Sequence, residues 1–245
     1  MSAQQTVLLL GATGRTGGRA LTQLLDAGAK VRVIVRSAAR LAAGIAAHPN
    51  LTVLEADLLS LTDDDLQRQV RGCDAVLSCL GHVITLKGVF GPPRDLVTRA
   101  TARLCRAIQA ARPAAHIRFV LMSSVSVNRP RGLDTHRGRF EKAFLWTLCR
   151  LVPPAQDNQS AADFLIREIG VADPWVQWAA VRPDTLLDGD VTEYALHEGI
   201  VSDLFKPAST NMANVAHFMC ALATDATLFD AWKGKLPVII NAAAR

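Results

Sequence analysis

The feature that most constrains this chain is Gly11-Ala12-Thr13-Gly14-Arg15-Thr16-Gly17, which follows the apolar run Val7–Leu10 and opens a stretch of helical periodicity. A strand, a glycine turn and a helix in that order bring the backbone N–H groups of a helix N-terminus up to an anion. Side chains on the turn would block that approach, so glycine is what the geometry demands. In this setting the pattern reads as the cradle for a dinucleotide's pyrophosphate.

The rest of the chain alternates strand and helix. Apolar, β-branched runs predict strands at Val7–Leu10, Val31–Val35, Leu51–Leu54, Ala75–Ser78, Ile117–Met122, Val176–Val181 and Val238–Ile240. Between them, helical spacing predicts Arg15–Ala27, ended by Gly28, a short helix over Ala38–Ala47, and Asp63–Val70 with its acids in the first turn. Further helices are expected at Asp95–Ala111, stopped before Pro113, and at Phe140–Leu151, Ala161–Glu168 and Val215–Ala223, with Pro183–Pro207 irregular. Repeated β–α alternation with nearly continuous apolar strands implies an α/β fold: a Rossmann-like, doubly wound parallel sheet with helices on both faces and a small irregular C-terminal region on the substrate side. Of the 245 residues half are hydrophobic and 20% charged, which suits one domain over residues 1–245. Its cofactor half runs to about residue 127, and substrate-side elements fall within about 128–210.

Composition then removes several classes. The net charge of +5 is dispersed except around Arg129, Arg131, Arg137, Arg139 and Lys142. That stretch has no recognised nucleic-acid motif, so it reads as a solvated face and no nucleic-acid partner is expected. No apolar run is long enough to span a bilayer, and Met1–Gln5 leads into the first strand without a secretory pattern. Cys73, Cys79, Cys105, Cys149 and Cys220 are odd in number and lack CxxC spacing. They read as reduced thiols in a cytoplasmic protein with no metal site.

The end of the second strand meets the adenosine ribose in such a fold, where an acid selects NAD and an arginine accommodates the 2′-phosphate of NADP. Here it carries Arg36, with Arg40 four residues on and Arg15 in the glycine loop, so the cofactor is read as NADP(H). Asp57, in Glu55-Ala56-Asp57-Leu58, suits either a contact to the adenine amine or a turn aspartate. Leu80-Gly81 suits either backbone passage beside the cofactor or a simple turn.

Together the glycine loop, Arg36, Asp57-Leu58, Ser78-Cys79-Leu80-Gly81, Met122-Ser123-Ser124 and Val181-Arg182-Pro183 resemble the atypical short-chain dehydrogenase/reductases of the NmrA-like, NAD(P)H-binding group. Within it, the Val35-Arg36 and Arg40-Leu41 pairs and His217-Phe218-Met219 are most similar to the branch of biliverdin and flavin reductases. The resemblance implies cofactor contacts from Gly11, Thr13, Gly14, Arg15, Thr16, Gly17, Arg36, Arg40, Asp57, Leu58, Leu80, Gly81, Ser123, Arg182 and Pro183.

The chain departs from that family at the acid. Most short-chain dehydrogenases use Tyr-x-x-x-Lys, in which the lysine lowers the tyrosine pKa. The sole tyrosine here is Tyr194, with Glu198 four residues later, and Ala155–Gln159 stands where the motif belongs. Ser124 matches the family's catalytic serine, with Ser126 nearby; a hydroxyl orients or polarises a carbonyl but is a poor lone acid. Asp157, His136, Arg137 and His82 are the other candidates for proton delivery. Two functions follow. One is an NADPH-dependent reductase of a small-molecule flavin, quinone or other conjugated acceptor that solvent can protonate. The other is a non-catalytic NADP(H) sensor with a protein partner at residues 129–142 and Trp146, although a helix bearing Phe140, Phe144, Leu145 and Leu148 is more often core. Sugar-nucleotide epimerase chemistry is disfavoured because it needs the missing tyrosine.

Overall fold

The first strand, β1 (Thr6–Leu10), shows why this sequence makes a two-sided sheet. Val7 and Leu9 pack into one hydrophobic cluster while Leu8 and Leu10 pack into a second on the opposite face. Both sets alternate along the strand, so a run apolar at every position is buried on both sides. The computed structural model describes residues 4–82, 91–129, 134, 138, 147, 152–202 and 206–242.

After β1 come α1 (Arg15–Asp26), β2 (Lys30–Val35), β3 (Leu51–Glu55), α2 (Asp63–Val70) and β4 (Ala75–Ser78). They are followed by α3 (Leu96–Ala111), β5 (Ile117–Met122), α4 (Pro153–Phe164), β6 (Val176–Pro183), β7 (Thr185–Leu187) and β8 (Tyr194–His197). The last elements are β9 (Ser209–Asn211), α5 (Met212–Thr224), α6 (Ala226–Trp232) and β10 (Val238–Asn241). Eight strands form one sheet in the order β3-β2-β1-β4-β5-β6-β10-β8, and β7 pairs with β9 in a small second sheet. Every neighbour in the large sheet is parallel except β8, which closes its edge antiparallel to β10. The cluster holding Leu9 takes its helical residues from α1, α5 and α6, and the cluster holding Leu8 takes them from α2, α3 and α4.

Several expected bounds hold to the residue, at α2, β4 and β5. Three expectations are corrected. The helix expected over Ala38–Ala47 is two 3₁₀ turns, Ala38–Arg40 and Ile45–Ala47, interrupted by Gly44 at φ +78°. The helix expected from Ala161 starts at Pro153, because proline at the first helical positions needs no N–H partner, and it runs on as a π turn, Leu165–Ile169. The region expected to be irregular supplies β7 and β8. The expected helix Phe140–Leu151 lies outside the described residues.

Topology fixes where a ligand can sit. From β1 the chain moves outward to β2 and β3, then returns to the other side of β1 as β4. Connections therefore leave the carboxyl ends of β1 and β4 in opposite directions, which opens a crevice there.

Candidate cofactor site

The glycine loop lies at that crevice, and each predicted glycine has a separate steric reason. Gly11 sits at φ +76°, and a Cβ on it would lie 2.5 Å from the Cys79 carbonyl oxygen at the end of β4. A Cβ on Gly17 would lie 2.1 Å from the Gly11 oxygen, so α1 seats directly on the loop. Gly14 is the extended N-cap of α1, with no side-chain cap and no acid in the first turn. Its N–H donates to the Gly11 carbonyl at 2.8 Å, and Gly18 N–H donates to the Gly14 carbonyl at 2.7 Å. The first-turn N–H groups lack intrahelical acceptors, so the helix presents them with its positive dipole end. A dinucleotide's pyrophosphate fits this cradle, because the close packing of β4, loop and α1 that the glycines allow leaves the first-turn N–H groups for an anion.

A groove of about 200 Å³ runs from the cradle toward the ends of β2 and β3. Gly11, Thr13 and Gly14 form one end; Arg36, Arg40, Asp57 and Leu58 form the other; Leu80 and Gly81 line the β4 side. Nine residues expected from the sequence thus meet on one surface. Seven more wall residues were missed: Ile34 and Val35 on β2, Ala56 and Leu59 beyond β3, Cys79 just after β4, Pro93 ahead of α3 and Leu96 at its start. Leu96 had a legible signal as the first apolar residue of its helix, whereas Pro93 had none. Arg15 instead lines an adjoining basin, shared by Thr13, Gly14 and Arg40. Thr16 is buried and lines neither the groove nor the basin.

At the acidic positions the geometry is specific. Asp57 accepts from Leu59 N–H at 2.9 Å, which makes it a turn aspartate that also lines the groove. Glu55 accepts from Ala38 N–H at 2.7 Å and so caps the 3₁₀ turn Ala38–Arg40.

Farther along the sheet, Ser124 accepts from Ser126 N–H and from the Ser126 hydroxyl, both at 3.2 Å. Ser123 is buried with an unpartnered hydroxyl, while its N–H donates to the Val181 carbonyl at 2.7 Å. The Arg182 side chain departs from its expected role. It is fully buried, donating to Asp134 at 2.9 Å and to the carbonyls of Leu236 and Val127 at 2.9 and 3.0 Å. Pro183 contributes a carbonyl that accepts from Val125 N–H. Burial pushes the Asp134 carboxyl up, but hydrogen bonds and charge from Arg182, together with the Arg129 N–H and guanidinium, hold it below the usual carboxylate range.

Two proton-delivery candidates are brought together. His82 Nε2 is 2.8 Å from an Asp157 oxygen, and Asp157 also accepts from the N–H groups of Val97 and Thr98 at the start of α3. Asp157 is therefore a buried cap that ties α4 to α3. His136 and Arg137 lie outside the described residues, as do Trp146 and most of the 129–142 stretch. Tyr194 sits on edge strand β8, its hydroxyl 2.8 Å from His217 Nδ1 and its ring against Phe218. Among the described residues, no helix is long and apolar enough to cross a membrane, and the four cysteines are buried and unbridged.

A glycine cradle at the switch point of a doubly wound sheet defines a Rossmann-type dinucleotide-binding protein. The chain belongs to the NAD(P)H-binding family, whose sequence profile matches residues 11–226. This agrees with the resemblance to atypical short-chain dehydrogenase/reductases. No curated protein sequence matches it. Among solved structures, an anaerobillin reductase from Escherichia coli superposes with TM-score 0.69 at 17% identity, over 98% of this chain and 99% of that one. A short-chain dehydrogenase/reductase from Veillonella parvula in complex with NADP gives 0.68 at 15%, over 98% and 95%. A candidate NADH-flavin reductase from Streptococcus pneumoniae gives 0.65 at 18%, over 97% and 100%. At these identities the likeness is one of fold.

Proposed function

We propose that the chain is an NADP(H)-dependent reductase of a flavin, quinone or other conjugated acceptor, working without the Tyr-x-x-x-Lys acid. The observation that carries this reading is the meeting of Arg36 and Arg40 with the glycine cradle on one groove, while the sole tyrosine is held against His217. In this reading Gly11, Gly14 and the first-turn N–H groups of α1 hold the pyrophosphate. Arg36 and Arg40 take the 2′-phosphate, and Asp57, Leu58, Leu80 and Gly81 form the adenosine wall. Residues to about 127 then form the cofactor half of one Rossmann unit, with the acceptor carried by elements within about 128–210.

When bound, the reduced nicotinamide supplies two electrons and a hydrogen to the acceptor. Ser124 accepts from Ser126 N–H and lies against the Ser126 hydroxyl, so an O–H of this pair can turn to donate to an acceptor oxygen or nitrogen. A hydroxyl of ordinary acidity orients such an atom without protonating it, so the proton comes from water, and conjugated acceptors tolerate that. The NADP complex of the Veillonella protein and the reductase descriptions of the other two neighbours support this reading.

The test is a turnover screen of the purified protein with NADPH and NADH against free flavins, quinones and conjugated carbonyls, with cofactor binding measured in parallel. The expected result is acceptor-dependent oxidation of NADPH in preference to NADH. Tight NADPH binding with turnover of none of these acceptors replaces the reductase by the NADP(H) sensor, which further requires unequal affinities for NADP+ and NADPH.

A further inference from the structure

NAD-selective Rossmann proteins place an acid at the end of the second strand to accept from the ribose hydroxyls. This chain carries a carboxylate close to that place, but it comes from the neighbouring strand and is turned onto backbone. Glu55 ends β3, in register beside Val35 at the end of β2. Its Oε2 accepts from Ala38 N–H at 2.7 Å, across a sequence gap of 17 residues.

That N–H is the first of the 3₁₀ turn Ala38–Arg40, and the N-cap residue, Ser37, offers no side-chain hydrogen bond to the turn. A short turn of this kind has little cooperativity of its own and depends on its caps. The other end is fixed by Leu41, which is buried and donates its N–H to the Ala38 carbonyl at 3.0 Å. Arg36 precedes the turn, Arg40 ends it, and both are exposed residues lining the groove. Two long cationic side chains on an uncapped turn would sample many directions; a capped turn presents them as a pair.

We infer that Glu55 is a positioning residue for cofactor selectivity: by capping the Ala38–Arg40 turn from β3, it holds Arg36 and Arg40 as a ready-made clamp for the 2′-phosphate. The inference rests on the NADP(H) reading above. It also accounts for an acid beside a phosphate site. One oxygen of that acid is engaged by the N–H of the turn, which gives the carboxylate a backbone-capping task beside the groove.

Glu55→Gln keeps an oxygen acceptor for Ala38 N–H, whereas Glu55→Ala removes it. Titration calorimetry with NADPH, NADH, 2′,5′-ADP and 5′-AMP on wild type and both variants separates the possibilities. Wild type is expected to prefer NADPH to NADH and 2′,5′-ADP to 5′-AMP. Relative to Glu55→Gln, Glu55→Ala is expected to bind NADPH and 2′,5′-ADP about three- to tenfold more weakly, in line with the loss of one cap. Binding of NADH and 5′-AMP is expected to be equal in the two variants. If both variants bind every ligand alike, or if Glu55→Ala weakens all four equally, the inference is overturned while the cofactor reading stands. Should wild type itself fail to distinguish 2′,5′-ADP from 5′-AMP, the NADP(H) reading falls first.

Discussion

Arg36 precedes and Arg40 ends the same short turn, yet they reach different surroundings. Arg36 lines only the groove, whereas Arg40 also borders the basin beside Arg15 and Arg19. Removing Arg36 should therefore act almost purely on the phosphorylated cofactor. Arg36→Ala is expected to weaken NADPH about 10- to 100-fold, the worth of a charge-assisted contact, and to leave NADH within about twofold. Unchanged NADPH/NADH selectivity in equilibrium binding would make Arg36 an ordinary surface arginine. At the other end, the Ser124 oxygen accepts from Ser126 N–H and lies against the Ser126 hydroxyl. Its expected task is orientation, so Ser124→Ala should slow acceptor turnover about tenfold or less, with NADPH affinity unchanged. A loss beyond roughly a thousandfold is what removal of a true general acid produces, and would contradict solvent protonation.

Between the elements, the closest steric coupling is that of α1 with the loop before it. A methyl group on Gly17 would sit 2.1 Å from the Gly11 oxygen, and backbone, unlike a side-chain tip, cannot rotate away. Gly17→Ala is expected to push α1 off the loop, costing about 1–3 kcal/mol or more in denaturant unfolding and removing NADPH binding in the folded fraction. Retained affinity would show that the cradle tolerates a displaced helix. This coupling was legible from spacing alone, because three glycines at fixed offsets have no other economical cause. Strands such as β1, apolar on both faces from Val7 to Leu10, were legible for a like reason: a short run hydrophobic at every position is what a sandwiched parallel strand requires. Less legible was α4, whose polar residues Gln156–Gln159 mask its helical period. Glu55 and Asp157 were illegible as partners, since their acceptor roles arise from contacts 17 and about 60 residues away. The Arg182 side chain misled because position at a strand end does not say which face it takes.

Across the whole molecule, that arginine joins what the chain order separates. Its guanidinium bonds the loop after β5 through Val127 and Asp134, the segment before β10 through Leu236, and the segment after β8 through the Glu198 carbonyl. Asp134 in turn accepts from Arg129 N–H and Nε, so one buried carboxylate with 3% exposure gathers two arginines. Breaking a buried pair by removing one partner strands the other charge, and costs about 3–5 kcal/mol. Arg182→Met is expected to lose that much in chemical unfolding, and Arg182→Met with Asp134→Leu to recover part of it, since the double change removes the buried carboxylate together with its fully enclosed partner. The acid limb gives an independent reading. Asp134 has its folded pKa below the unfolded value, so its contribution is fully present above the usual carboxylate range and is lost as pH falls through the folded pKa. In Arg182→Met the hydrogen bonds and charge that lower this pKa are reduced while burial still raises it. Acid unfolding of the variant should therefore begin at a higher pH than in wild type. Because the guanidinium is fully enclosed, folded Arg182→Met should bind NADPH as wild type does. A tenfold loss of NADPH affinity, with native circular dichroism and an unshifted acid limb, would instead return Arg182 to the cofactor site and leave Asp134 held by Arg129 alone.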